Sequence, residues 1–181
     1  MLEKHKLAEH ILATVNLLLG AKGLMLRSGT VVEATLISAP SSTKSASGKR
    51  DPEMHQGKKA QQWFFGMIFG MKAHIGVEAD SGLVHTVRST AGHVNDVVEA
   101  NSLLHGQGTD VFADAGYQWA RKRPDAKEEV KWHVAMRPGV RKLLDKADPM
   151  DALTDQVERI KASIRAKVEP RSVSSSASSA M

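Results

Sequence analysis

The stretch "GTVVEATLIS", residues 29–38, decides the fold. It opens on a glycine and runs through Val31, Val32, Thr35, Leu36 and Ile37, a β-branched and aliphatic segment too short for a membrane span and suited to a buried strand. One residue breaks the apolar run. Glu33 stands mid-strand between Val32 and Ala34. A carboxylate there is costly unless it is paired, hydrogen-bonded, metal-bound or turned outward.

Working outward, "QWFFGMIFGMKAHIGVEADSGLVHTVRSTA" (62–91) predicts two strands around a turn at "EADSG". "HVNDVVEANSLLHG" (93–106) predicts a short helix, capped by Asn95 or Asp96 and ended by Gly106. "TDVFADAGY" (109–117) predicts a strand running into a glycine turn, and "VKWHVAMRP" (130–138) another strand. A last helix starts with Asp148 as N-cap and Pro149 at the first helical position. Leu153, Val157, Ile160, Ile164 and Val168 predict its buried stripe. Before the first strand, Leu7, Ile11, Val15, Leu18 and Leu19 predict an amphipathic helix within residues 2–19. The order is strand, hairpin, helix, strand, strand, helix, which predicts a mixed α/β layer fold. Residues 39–59, rich in Ser, Gly, Pro and Lys, predict a long mobile loop.

The 181 residues fit one domain, and 41% apolar content suffices for a core. No apolar run is long enough to span a membrane, and "MLEKHKLAEH" has no signal-peptide core. The absence of cysteine rules out disulfides and thiolate metal sites, and makes a cytoplasmic location the default expectation. The eight histidines have no zinc-site spacing. A formal charge of +5 fits a polyanionic partner such as nucleic acid.

Three carboxylates stand out by position: Glu33 in the strand, Asp114 where "VFADAG" meets its turn, and Glu169 at the end of the last helix. Carboxylates from two strands and a helix can converge on one sheet edge, where an all-oxygen donor set suits Mg²⁺ or Mn²⁺. Two such ions about 3.5–4 Å apart serve phosphoryl transfer. Plainer readings stand beside this one. Glu33 can face outward, Asp114 can be an ordinary turn residue, and Glu169 can be half of an exposed i, i+4 pair with Arg165.

Long strings then carry a resemblance. "GTVVEATLISAPSSTK", "RDPEMHQGKK", "FGMKAHIGVEADSGLVHTV", "VNDVVEANSLLHG", "TDVFADAGYQ", "WHVAMRPG" and "RAKVE" resemble bacterial insertion-sequence transposases of the DDE type, in the group covering the fourth and fifth insertion-sequence families. The resemblance runs from residue 1 to about 169. It implies an RNase H-like mixed sheet flanked by helices over residues 29–169, preceded at 1–28 by the remnant of a helical region. It implies Mg²⁺- or Mn²⁺-dependent DNA cleavage and strand transfer, with transposon ends and target DNA as partners. Self-association, or association with full-length transposase, and a nucleoid location follow as expectations. Carried over, the metal carboxylates are Glu33, Asp114 and Glu169. The expected DNA contacts are Lys58, Lys59, Arg137, Arg165 and Lys167, any of which could equally belong to a solvated basic face.

Departures from the family pattern bear on activity. The usual "VDATLI" is "VEATLI" here, so position 33 carries Glu instead of Asp. Glu sets its carboxylate roughly 1.5 Å further out, and about 1 Å of misplacement can cost about 100-fold in rate. "FFGMIFGMKAH" carries four residues more than the family's "YFGMKAH", and Trp119 replaces the glycine that often follows "GYQ". Past Glu169 the family continues with a sequence like "HPFRVIKRQFGY", whereas this chain reads "PRSVSSSASSAM", with Ser176 where a Lys belongs and Ala162 where the signature has Tyr. One back-translation of this tail, read two nucleotides later, gives Ala-Phe-Arg-Val-Ile-Lys-Arg-Gln-Phe-Gly-Tyr. The expectation is a single-nucleotide deletion after the Glu169 codon and a disordered, frameshifted tail at 170–181, which sequencing the gene tests. The leading expectation is thus an impaired or inactive transposase fragment. The alternatives are a catalytically dead DNA-binding fragment that interferes with full-length transposase, an inert remnant, and an RNase H-like nuclease.

Overall fold

In the computed structural model the described residues are 6–25, 29–38, 58–59, 62–63 and 70–168. They form helix α1 (Leu7–Ala21), strand β1 (Gly29–Ser38), a two-stranded ribbon of β2 (Lys58–Lys59) and β3 (Gln62–Trp63), strands β4 (Gly70–Glu78) and β5 (Val84–Ala91), helix α2 (Asp96–Glu99), strands β6 (Asp110–Ala113) and β7 (Lys131–Val134), and helices α3 (Pro138–Arg141) and α4 (Pro149–Ala166). Single 3₁₀ turns occupy Ala100–Leu103, Ala115–Tyr117 and Ala120–Lys122.

Five strands make one mixed sheet in the order β5-β4-β1-β6-β7. The hairpin β4–β5 is antiparallel, β4 pairs antiparallel with β1, and β1, β6 and β7 run parallel. This is the expected mixed α/β sheet flanked by helices, and its topology agrees with the RNase H-like reading. The strand that reads as most apolar, β1, lies at the centre, because only a central strand buries both faces. The turn after β4 contains Gly82 at φ +71, a backbone state that suits glycine. At Gly76 the sheet meets the Ala100–Leu103 turn so closely that a Cβ would lie 2.3 Å from the Leu103 carbonyl oxygen.

One face of the sheet carries the main core. Val32, Val111 and Ala113 from the strands pack with Ala100, Leu103, Tyr117, Ala120 and Val130 from the crossover segments. Burying a Val or Leu contributes roughly 1.5–3 kcal/mol, so this cluster fixes β6 beside β1.

Local signals act as read. Asn95 caps α2, accepting from the Val97 N–H at 3.2 Å. Asp148 caps α4, accepting from the Asp151 N–H at 3.1 Å, with Pro149 next. The segment expected as one helix over 93–106 divides into α2 and a 3₁₀ turn. α1 buries none of its residues and is tied at Asn16, whose Nδ2 donates to the His85 carbonyl at 2.8 Å.

The stripe on α4 needs correction. Leu153 and Ile160 are 55% and 56% exposed, and Val157 is also exposed. The buried residue is Glu158, at 5%. Its Oε2 accepts from the Met136 N–H at 2.8 Å and its Oε1 from Lys161 Nζ at 2.7 Å, while Lys161 also donates to the Val134 carbonyl at 3.1 Å. Arg141 binds Asp155 at 2.8 Å. Polar latches to the end of β7 and to α3 set the rotation of α4 and turn Leu153, Val157 and Ile160 outward, while Ile164 and Val168 at its end are half-buried. Most of the loop expected at 39–59, the added residues in "FFGMIFGM" before Gly70, and the tail 170–181 lie outside the described residues.

Candidate active site

Parallel pairing of β1 and β6 builds the site. Gly29 lies opposite Asp110, Thr30 opposite Val111 and Val31 opposite Phe112. The same offset two residues on sets Glu33 opposite Asp114. The paired ladder stops at Val31 and Phe112, so the two carboxylates flank the place where the strands part. Side chains alternate along a strand, so Glu33 takes the face opposite Val32 and the core. Both carboxylate residues are half-buried.

Asp114 is held by its own turn. It caps the Ala115–Tyr117 turn, and its Oδ1 accepts from the Gly116 N–H at 2.8 Å. A side chain at Gly116 would crowd that oxygen, since a Cβ there would lie 3.0 Å from Oδ1. One carboxylate oxygen is therefore fixed by the backbone, and Oδ2 is left for a ligand.

Sequence reading missed three neighbours. Tyr117, 1% exposed, follows Asp114 by three residues, and its hydroxyl has no hydrogen-bond partner among the described residues. Burial pushes its phenol well above the usual range, and the negative charges of Asp96, Glu33 and Asp114 push it further. Asp96, at the start of α2, pairs with Lys72 of β4 at 2.7 Å, and Lys72 also donates to the Val94 carbonyl at 2.7 Å. Asp96 reads from sequence only as a cap candidate, and Lys72 as one lysine of "FGMKAH". Their meeting requires the β4 register, which sets Lys72 opposite Leu36 of β1, beyond Glu33 toward the same edge.

The other expected residues fall in different places. Arg137 is exposed and stands at the N-cap position of α3, without a side-chain cap bond, just after β7 at the edge where Asp114 lies. Lys58 and Lys59 form the β2 rung of the small ribbon, and their side chains are outside the described part. Arg165 is half-buried in the last turn of α4, and Lys167 follows it, exposed. The Lys167 carbonyl lies 3.7 Å from where a Cβ on Gly82 would be. That turn closes the β4–β5 hairpin beyond Glu78, which pairs with Thr30. α4 thus runs from the carboxyl end of β7 back toward the amino end of β1. From the level of Thr30 to that of Glu33 is roughly 10 Å along the strand. Glu169 is outside the described residues, which end at Val168, two residues past α4.

Glu33 and Asp114 offer an all-oxygen donor set on adjacent strands, the chemistry that suits a hard divalent cation. Among the described residues, no third Asp, Glu or His joins them to make a three-ligand group. The pair fits a cation whose remaining ligands come from beyond this set or from water.

Residues 25–176 match the family described as Transposase DDE domain. No solved structure matches the chain. Among the described residues, no helix is long and apolar enough to cross a membrane.

Proposed function

The chain belongs to the Transposase DDE domain family, and on that premise we propose that its sheet edge performs divalent-metal-dependent DNA strand cleavage and transfer, weakened by the glutamate at position 33. The observation that supports this reading is the parallel register of β1 and β6, whose offset, continued two residues past Val31 and Phe112, sets Glu33 level with Asp114. Both would hold the metal, with Glu169 as third carboxylate on the strength of the family resemblance. A bound Mg²⁺ or Mn²⁺ supplies an activated water or 3′-hydroxyl and charge to balance the leaving oxygen. Asp114 is oriented for this by the Gly116 N–H. Glu33 brings its carboxylate roughly 1.5 Å further out than an aspartate would, which disturbs the distance on which the chemistry depends. Lys58, Lys59, Arg137, Arg165 and Lys167 are the proposed phosphate contacts, and transposon ends and target DNA the substrates. The longer Glu33 favours a second outcome at the same site, in which the chain binds DNA, turns over little, and competes with an intact transposase in the nucleoid.

The test is nicking of supercoiled plasmid with Mn²⁺ or Mg²⁺. Glu33→Asp is expected to raise the rate roughly 100-fold, and Asp114→Ala to abolish it. Mn²⁺ is expected to raise the melting temperature of the parent chain but not that of Asp114→Ala. Equal metal response in the two proteins, with no gain from Glu33→Asp, would refute the assignment.

A further inference from the structure

The turn after Asp114 presents an aromatic ring to solvent from a rigid base. Across residues 117–122, "YQWARK", Tyr117 and Ala120 are buried, while Gln118, Trp119, Arg121 and Lys122 face out. Backbone bonds close the turn on both sides: Tyr117 N–H donates to the Asp114 carbonyl at 3.2 Å and Lys122 N–H to the Trp119 carbonyl at 3.0 Å. Asn101 Nδ2 reaches the Ala120 carbonyl at 3.4 Å and ties the turn to the core. Trp119 is therefore held between two buried anchors, yet it is 58% exposed.

Its surroundings are cationic. Lys122 Nζ lies 4.7 Å from the centroid of the indole. Arg121 is exposed, and among the described residues neither Arg121 nor Lys122 forms an ion pair. Arg123 differs, being bound to Asp125 at 3.0 Å. Trp119 follows Asp114 by five positions, at most roughly 17 Å of chain.

We propose that Trp119, with Arg121 and Lys122 beside it, is a stacking platform for an unpaired DNA base next to the carboxylate edge. The inference rests on the reading that this edge acts on DNA. Every base has a π-face, and an open indole set among cations takes the base on its ring and the neighbouring phosphates on the charges. A rigid base suits the role, because little side-chain freedom is lost on binding. The preferred ligand is single-stranded or frayed DNA over a blunt duplex, whose bases are already stacked.

The experiment uses the full chain, a fluorescein-labelled oligo-dT of about 15 nucleotides, and a blunt duplex of the same length. Trp119→Ala is expected to weaken oligo-dT binding about 5- to 150-fold and duplex binding far less. Trp119→Phe keeps a ring and is expected to bind oligo-dT within a few-fold of the parent, as a folded control. Replacing Arg121 and Lys122 by Gln is expected to lower the slope of log affinity against log salt by about 1.4 for single strands. If both DNAs bind but Trp119→Ala binds oligo-dT as well as the parent, the platform is overturned and the DNA reading survives. If neither DNA binds at low salt, both fall. A Trp119→Ala effect on self-association, with oligo-dT affinity unchanged, assigns the ring to a contact between copies and also overturns the platform.

Discussion

The edge of β1 and β6 and the helix α4 obey different rules. At the edge, a strand period of two and a parallel register govern: with Gly29 opposite Asp110, the same offset continued past the last paired rung sets Glu33 level with Asp114, on one face. On α4, the 3.6-residue period is equally clear, yet it does not decide which face is buried. Glu158 goes in and Leu153, Val157 and Ile160 stay out. The edge is set by many backbone bonds acting together. The rotation of α4 is set by a few strong, directed latches at Met136, Val134 and Arg141. A weak apolar preference loses to a carboxylate that satisfies a backbone N–H and an ammonium at once.

The largest effect expected is on the sheet side. Gly76→Ala puts a methyl group 2.3 Å from the Leu103 carbonyl oxygen and 2.7 Å from His85 Cε1, both in the packed interior. A loss of about 3 kcal/mol or more is expected in urea denaturation. A loss near zero would mean that the crossover turn is not seated on β4.

Next comes the latch. Glu158→Ala leaves the Met136 N–H unsatisfied and Lys161 without its carboxylate, and a loss of about 2–4 kcal/mol is expected. Loss of less than about 0.5 kcal/mol would return the burial of α4 to its apolar stripe. Acid reports on the same contact. Burial works to raise the Glu158 pKa, but the Lys161 ammonium, the Met136 N–H and the charge of Arg141 outweigh it, so the folded pKa lies below the unfolded one. The stability this contributes is present above the unfolded value, near about 4.3, and is lost as pH falls through the folded value. Melting temperature should fall over that window more steeply in the parent than in Glu158→Gln. Parallel curves would rule the latch out as a cause.

Smaller still is Tyr117→Phe, which removes a buried hydroxyl that has no partner among the described residues. A change of no more than about 1 kcal/mol is expected, neutral or stabilising. A marked loss would show that the hydroxyl has a partner at the carboxylate edge. The smallest effect is on the outer stripe: Leu153→Ser and Ile160→Ser should each stay within about 0.5 kcal/mol, and any larger loss would show a covered face.

The candidate site was legible to the extent that it depends on strands. Val31, Val32 and Glu33 announce a buried strand carrying an acid, and "ADAGY" announces a strand end whose Asp caps a turn. Lys72, Asp96 and Tyr117 were not legible as a group. They come from β4, α2 and the turn after β6, and no local pattern links residues that far apart. Trp119 was visible only as an unusual residue, and its exposure depends on Tyr117 and Ala120 being drawn into the core on either side.

The sequence by itself determined the five strands of the main sheet, the long helices and their order, because strand period, caps and turn chemistry are local and each is encoded within a few residues. Only the tertiary structure decided which acids meet. The parallel register of β1 and β6 set Glu33 and Asp114 at one level on one face, packing of α2 brought Asp96 toward the turn of Tyr117 and onto Lys72, and directed hydrogen bonds to the end of β7 chose the buried face of α4. These are long-range pairings, set by the competition of many contacts for the same space, and no short stretch of sequence records its outcome.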